Sequence, residues 1–499
     1  ISSLLVVTPR QRFGTKFRKE GIFPQNDQNT HLATMSYMLS RSKLSLVARQ
    51  LSASPFRQAI EKSRRGPLRS VQLSAGTINP KVVDAQYAVR GALVLRAMQH
   101  ERALQENQKL PFDEIFFCNI GNPHQLNQKP VTYFRQVLSL MDYPEMSDHP
   151  AVTQIYPADA IARAKHFFAN VPGGTGAYSE SQGITLVRQH VAEFISRRDG
   201  VQADKDDVFL TDGASQGVAV STNILIRNEL DGIMIPIPQY PLYSATISLC
   251  GGRAVGYYLD EANNWSMDIS ELKSSLKNAR SEGTNVRALA IINPGNPTGQ
   301  CLTEANMREV VKFCEEENLV ILADEVYQTN VYGDVPFTSF RKVVTEMHSD
   351  VELISYHSVS KGMIGECGRR GGYMELQNLD ASVIEQVYKM FSIGLCSNIS
   401  GQVMVDCMVK PPVEGEESYP LYKQEMDGLY ASLLRRSQKL SAALSTMSNI
   451  SCTPIAGAMY AFPQIHLPRK AVDAAKVAGM QPDTFYAVEL LDATGICVV

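Results

Sequence analysis

The sequence predicts an α/β protein organised around a mostly parallel sheet of seven strands. Three observations carry that prediction. Seven short apolar runs recur between positions 207 and 376, each closed by turn or polar residues. Most are apolar nearly throughout instead of alternating, which suits strands covered on both faces. The stretches between them place apolar residues three and four apart, the spacing of a helix with one buried stripe.

Taken in order, strands are expected at DVFLTDG (207–213), GIMIPIP (232–238), AVGYYL (254–259), RALAIIN (287–293), LVILADE (319–325), ELISYHS (352–358) and GGYMEL (371–376). Helices are expected at SQGVAVSTNILIRN (215–228), SMDISELKSSLKNAR (266–280) and TEANMREVVKFCEEEN (303–318). Two of these carry start signals, Asp268 or Ser270 ahead of one and Thr303 ahead of the other. A long helix is expected near 81–108, helical stretches from 382 onward, a strand-like run at GAMYAFPQI (457–465) and a loop at PPVEGEE (411–417). These features divide the chain into a basic leader (1–70), an N-terminal arm with part of a smaller domain (71–150), a large domain (151–385) and the rest of the smaller α+β domain (386–499).

Composition narrows the class. At 499 residues, 44% hydrophobic and 20% charged, the chain is of ordinary globular make-up and long enough for two domains. The net charge of −3 hides an asymmetry: residues 1–70 hold 13 Lys or Arg against three acidic residues, leaving 35 basic and 48 acidic in the remainder. A basic, Ser-rich leader on an acidic body resembles an organellar transit segment more than a nucleic-acid arm. Within it, residues 38–58 space Leu44, Val47 and Leu51 on one helical face beside Arg41, Lys43 and Arg49, as a mitochondrial presequence does. Mitochondrial placement is therefore expected, with cytoplasmic and peroxisomal placement as the alternatives. Nine cysteines without a C-x-x-C pair read as reduced thiols. The histidines form no H-E-x-x-H and no His/Cys cluster, so no metal site is expected. No apolar run is long enough to predict a transmembrane helix, and no nucleic-acid partner is expected.

Open α/β sheets bind ligands at the carboxyl ends of their strands. Residues 212–215, Asn296, Asp324, Tyr327 and 358–361 all fall there. The most specific stretch is HSVSKGMIGECGRRGG (357–372), in which Lys361 sits among small hydroxyl residues and glycine ahead of paired arginines. An amine so placed suits imine chemistry with an aldehyde, and Ser358 with an arginine suits a phosphate. In DGASQGV (212–218), Ala214, Ser215 and Gln216 open a helix, where free N–H groups and the dipole favour an anion.

Together with NPGNPTGQ (293–300), ADEVY (323–327), PIPQYPLY (236–243) and GAYSESQG (176–183), these segments are similar, in chain order, to the fold-type I aminotransferases, class I/II, and most closely resemble the alanine aminotransferase group. The resemblance covers about residue 75 to the end and implies pyridoxal 5'-phosphate as cofactor. It implies that Lys361 holds the cofactor and shuttles a proton, that Asp324 pairs with the pyridine nitrogen, and that Tyr327 and Asn296 bind the ring oxygen. Tyr240 would stack on the ring. Ala214, Ser215, Gln216, Ser358 and Arg370 would cradle the phosphate, with Arg369 as the alternative arginine. Tyr178 would reach the partner's phosphate in a homodimer with shared sites. The implied reaction transfers an amino group between L-alanine and 2-oxoglutarate, giving pyruvate and L-glutamate. Glutamate:glyoxylate aminotransferase and a lyase of the same fold are the alternatives. The family holds the substrate α-carboxylate with an arginine near the C-terminus. No arginine follows Arg469, so that residue is expected beyond Val499 and the 499-residue chain is expected to bind cofactor yet transaminate poorly.

Overall fold

The computed structural model describes residues 73–87, 91–171 and 173–498. The expected presequence therefore lies outside the described residues. Strands are numbered in chain order, with β1 at Phe116–Phe117. The central sheet comprises β2 (Val208–Thr211), β3 (Asp231–Ile237), β4 (Arg253–Tyr258), β5 (Asn285–Ile292), β6 (Val320–Asp324), β7 (Leu353–Ser358) and β8 (Gly372–Gln377). Each answers to one expected run, with ends shifted by a residue or two. The order across the sheet is β2-β8-β7-β6-β5-β3-β4. Only β8 runs against its neighbours, β2 and β7.

Helices cover both faces, which is why the strands are apolar on both. The relevant ones are α1 (Pro80–Asp84), α2 (Ala92–Gln105), α3 (Thr132–Asp142), α4 (Ala158–Asn170), α5 (Thr185–Asp199), α6 (Ala214–Leu225), α7 (Leu242–Cys250), α8 (Ile269–Ser281), α9 (Glu304–Glu317), α10 (Phe340–Glu346), α11 (Ala381–Ile393) and α12 (Ile399–Val409). On one face Leu289, Ile321 and Leu353 pack against Leu272, Val310, Phe313 and Phe340 of α8 to α10. Their strand neighbours Ala288, Leu322 and Ile354 turn to the other face, against Val218, Tyr243, Ile247 and Phe391. The period of two thus feeds two cores from one set of strands. Each fully buried Val, Leu or Phe contributes roughly 1.5–3 kcal/mol.

Local signals set the helix ends. Asp268, not Ser270, caps α8, its carboxylate accepting from Ser270 N at 2.8 Å. Thr303 caps α9 by accepting from Asn306 N at 3.2 Å. The loop at 411–417 is as expected.

Two expectations are corrected. The single helix near 81–108 is broken: α1 ends at Asp84, the next residue Ala85 is extended at φ −65°, ψ 123°, and α2 begins after Gly91. The break frees Tyr87 to bond Tyr240. The run 457–465 is mainly turn rather than strand. Gly457 forms one bridge to Val331, Ala458 has φ 56°, Ala461 is a bridge residue, and Gln464–Ile465 (β10) forms a two-residue strand with Ile450–Ser451 (β9). A positive φ in an alanine departs from strand geometry and turns the chain back toward the sheet.

The flanks meet. β1 pairs in parallel with β11 (Ile496–Cys497), and His100 of α2 bonds Asp492 at 2.8 Å. All nine cysteines are free. No helix among the described residues is long and apolar enough to cross a membrane.

Candidate active site

The carboxyl ends of the strands enclose a cavity of about 710 Å³. Nine residues singled out from sequence line it: Ala214, Ser215, Tyr240, Asn296, Asp324, Tyr327, Ser358, Lys361 and Arg370. Two do not. The side chain of Gln216 turns back to accept from Asp212 N at 2.6 Å, so it braces the turn rather than facing the cavity. Tyr178 is 76% exposed and does not line this chain's cavity.

Lys361 follows β7, three residues beyond its end. Its Nζ donates to the Gly121 carbonyl at 2.6 Å, and no carboxylate pairs with it among the described residues. A Cβ on Gly121 would sit 3.2 Å from both Lys361 Nζ and Tyr460 Oη, so any side chain there would crowd the amine. The Cys367 thiol donates to the Ser360 carbonyl at 2.8 Å, and burial pushes its pKa up.

Asp324 closes β6 and is 5% exposed. Its carboxylate accepts from Tyr243 Oη at 3.2 Å and from Val326 N at 3.4 Å. Burial outweighs these bonds and the more distant Lys361, pushing its pKa up to about 6. Tyr327 is also buried, and burial raises its hydroxyl well above the usual range. It shares a hydrogen bond of 2.6 Å with Tyr460 Oη, the rings meeting edge to face. Tyr240 shares one of 2.5 Å with Tyr87 Oη. Asn296 lines the cavity while Asn293 shapes the turn behind it, its Oδ1 accepting from Leu302 N at 3.0 Å.

The anion-binding end is built from two segments. α6 begins at Gly213 with no side-chain cap, leaving first-turn N–H groups toward the cavity. Arg370 Nη2 donates to the Asp212 carbonyl at 2.7 Å and to Ser215 Oγ at 3.3 Å, and Nη1 to the Cys367 carbonyl at 2.9 Å. Gly213 has φ 77°, and a Cβ on it would meet Arg370 Nη2 at 2.3 Å. Only glycine fits there. Arg369 lies near Glu366 at 4.0 Å, outside the cavity lining, so geometry favours Arg370 of the two.

Sequence reading missed four participants. Tyr460 was hidden in the run taken for a strand, and Tyr243 lies three residues beyond the tyrosine chosen. Gly121 stands in NIGN (119–122), whose turn chemistry was a usable signal. For Tyr87, no local signal exists.

The amine can form an imine, the buried carboxylate can hold a cationic group, and the uncapped helix start with Arg370 can bind an anion. A family model described as aminotransferase class I and II matches residues 142–499. A Dictyostelium discoideum protein named probable alanine aminotransferase, mitochondrial, is 55% identical over 437 residues, covering 86% of this chain and 82% of that one. Arabidopsis thaliana glutamate–glyoxylate aminotransferase 1 is 52% identical over 432 residues, covering 86% and 88%. The crystal structure of an Escherichia coli aminotransferase superposes with a TM-score of 0.65 at 21% identity, covering 87% of this chain and 89% of that one, which bears on the fold alone. On this evidence the chain belongs to the class I and II aminotransferase family and is an enzyme of the fold-type I architecture.

Proposed function

We propose that the chain uses pyridoxal 5'-phosphate to move an amino group between L-alanine and 2-oxoglutarate, giving pyruvate and L-glutamate. One observation carries the reading. A single cavity joins a lysine amine with, among the described residues, no carboxylate partner, a buried carboxylate bonded to a hydroxyl and an amide N–H, and an arginine beside an uncapped helix start. The residues fit the cofactor's chemistry at both ends. Asp324, buried with its pKa raised to about 6, gains from a cationic ring nitrogen. Glycine at 121 keeps the amine uncrowded, and glycine at 213 leaves room for the Arg370 guanidinium.

When bound, the cofactor supplies an electron sink for charge developing at the substrate Cα. Lys361 Nζ would hold the cofactor until the substrate amine displaces it, and the freed amine would then take the proton from the substrate Cα, the work of a positioned general base. Asp324 holds the proton on the ring nitrogen. Tyr327 and Asn296 would bind the ring oxygen, and Tyr240, bonded to Tyr87, would stack on the ring. Ser215, Ser358, Arg370 and the N–H groups of Ala214 and Ser215 bind the phosphate, with Gln216 bracing their turn. Tyr178, exposed on this chain, reaches a second copy in a homodimer. Residues 151–385 act as the large cofactor domain, and 71–150 with 386–499 as the smaller one; the pairing of β1 with β11 supports that grouping.

The substrate pair rests on identity with a relative named alanine aminotransferase. That relative's name and the basic leader favour mitochondrial placement. The 52% identity to a glutamate–glyoxylate aminotransferase supports glyoxylate as a second acceptor. An absorbance titration tests the reading. The visible band of the cofactor-loaded protein should bleach with L-alanine and return with 2-oxoglutarate. Bleaching is expected to be slow; a band unchanged after prolonged incubation with saturating L-alanine would refute the assignment, and return with glyoxylate alone would favour the second.

A further inference from the structure

We propose that the first turn of α12 is a clamp that holds the two halves of the phosphate cradle in register, with Gly401 as its positioning residue. The proposal rests on the cofactor reading above. The cradle comes from segments far apart in sequence, the turn at 212–215 and the loop at 367–372, joined directly through Arg370 Nη2 on the Asp212 carbonyl and Ser215 Oγ. α12 touches both. Asn398 N donates to Asp212 Oδ1 at 2.7 Å, tying the helix to the first half. The side chain of the same residue caps the helix by accepting from Gly401 N at 2.9 Å, which fixes how Gly401 is presented.

On the other half, two backbones interlock. A Cβ on Gly401 would lie 2.6 Å from the Arg370 carbonyl oxygen and 2.8 Å from that of Arg369. Reciprocally, a Cβ on Gly371 would lie 2.3 Å from the Gly401 carbonyl oxygen. Arg370 itself stands in the left-handed region, at φ 53°, ψ 47°, a conformation that a neighbouring contact must hold in a non-glycine residue. The helix cannot yield to relieve a clash. Gln402 Oε1 accepts from Ile184 N at 2.8 Å, and the fully buried Asp406 binds Arg163 Nη1 at 2.7 Å and His190 Nδ1 at 2.5 Å. A methyl group at 401 therefore displaces the Arg370 peptide and carries its guanidinium away from Ser215. Gly401 is not among the residues lining the cavity, so it acts through the Arg369–Arg370 backbone.

The test compares pyridoxal 5'-phosphate with pyridoxal, which lacks the phosphate, as ligands of the cofactor-stripped full chain. Gly401→Ala should weaken pyridoxal 5'-phosphate at least tenfold and pyridoxal less than threefold. Asp212→Ala, which removes the other attachment without adding bulk, should shift the same ratio in the same direction, and it decides the matter if the first variant fails to fold. Gly428→Ala, at a helical glycine with open space around it, should change neither. Equal weakening of both ligands, or none, in a folded Gly401 or Asp212 variant would overturn the clamp. A wild-type chain that does not prefer the phosphorylated ligand would instead overturn the cofactor reading beneath it.

Discussion

Two carboxylates stand side by side at the end of β6 and face opposite sides of the sheet. Asp324 looks into the cavity, with Tyr243 Oη and Val326 N as its partners. Glu325 looks to the back, where Phe340 N donates to it at 2.8 Å, and Arg198 lies 3.9 Å away with its hydrogen bonds given to Asp199 at 2.7 Å and to Gln328 Oε1 at 2.9 Å. Burial raises both, Asp324 to about 6 and Glu325 to about 8. The larger shift belongs to the residue with no cavity beside it. A perturbed carboxylate therefore does not mark a site by itself. What marks Asp324 is its place on the wall of a cavity large enough for a cationic ligand, whereas Glu325 is packed into a closed network with Arg198, Arg341 and Glu375.

Substitution at the two positions should separate them most sharply. Asp324→Asn should slow the single-turnover reaction of the cofactor-loaded protein with L-alanine roughly 10²–10³-fold, the usual range for losing a preorganised electrostatic contact. Glu325→Gln should leave that rate within about threefold. Equal losses in stopped-flow traces would erase the distinction.

The pH dependence of stability gives the next largest effect. Both groups have folded pKa values above their unfolded ones, so the stability they contribute is present at low pH and lost as pH rises through the folded value. For Asp324 that window runs from about 4 to about 6, and for Glu325 it extends to about 8. Without cofactor, Asp324→Asn should gain on the order of 2–3 kcal/mol over wild type above the lower window, measured by urea titration. Adding pyridoxal 5'-phosphate should abolish that advantage and leave any gain from Glu325→Gln intact.

Smaller effects are expected from the hydroxyls on the cavity side. Tyr460→Phe removes the bond to Tyr327 Oη and should lower the L-alanine half-reaction rate about tenfold, or ~1.4 kcal/mol. Tyr87→Phe, which loses only the bond to Tyr240 Oη, should weaken cofactor affinity two- to fivefold, about 0.5–1 kcal/mol, in a fluorescence titration. The reverse order would mean that Tyr240 depends on the N-terminal segment more than the cavity geometry implies.

The seven strands were legible because each is buried on both faces and therefore nearly continuous in apolar residues, as in LVILADE. Asp268 and Thr303 announced helix starts through side chains that accept from nearby N–H groups, a signal confined to three residues. Asp324, Lys361 and Arg370 were legible because strand ends carried unusual polar residues in a familiar order. What stayed hidden depends on contacts distant in sequence. Tyr460 reaches the cavity through a turn at Ala458 that its apolar neighbours disguised as a strand. Gly401 is required by the Arg370 backbone, and Tyr87 by a hydroxyl at Tyr240, and nothing local to either residue records this.

The account depends most on the amine at position 361 meeting the cofactor. Borohydride reduction of the pyridoxal-phosphate-loaded protein, followed by proteolysis and mass spectrometry, tests it directly. A phosphopyridoxyl adduct is expected on the peptide containing Lys361, absent from a Lys361→Ala variant. An unmodified Lys361 with the label on another lysine, or on none, would contradict it.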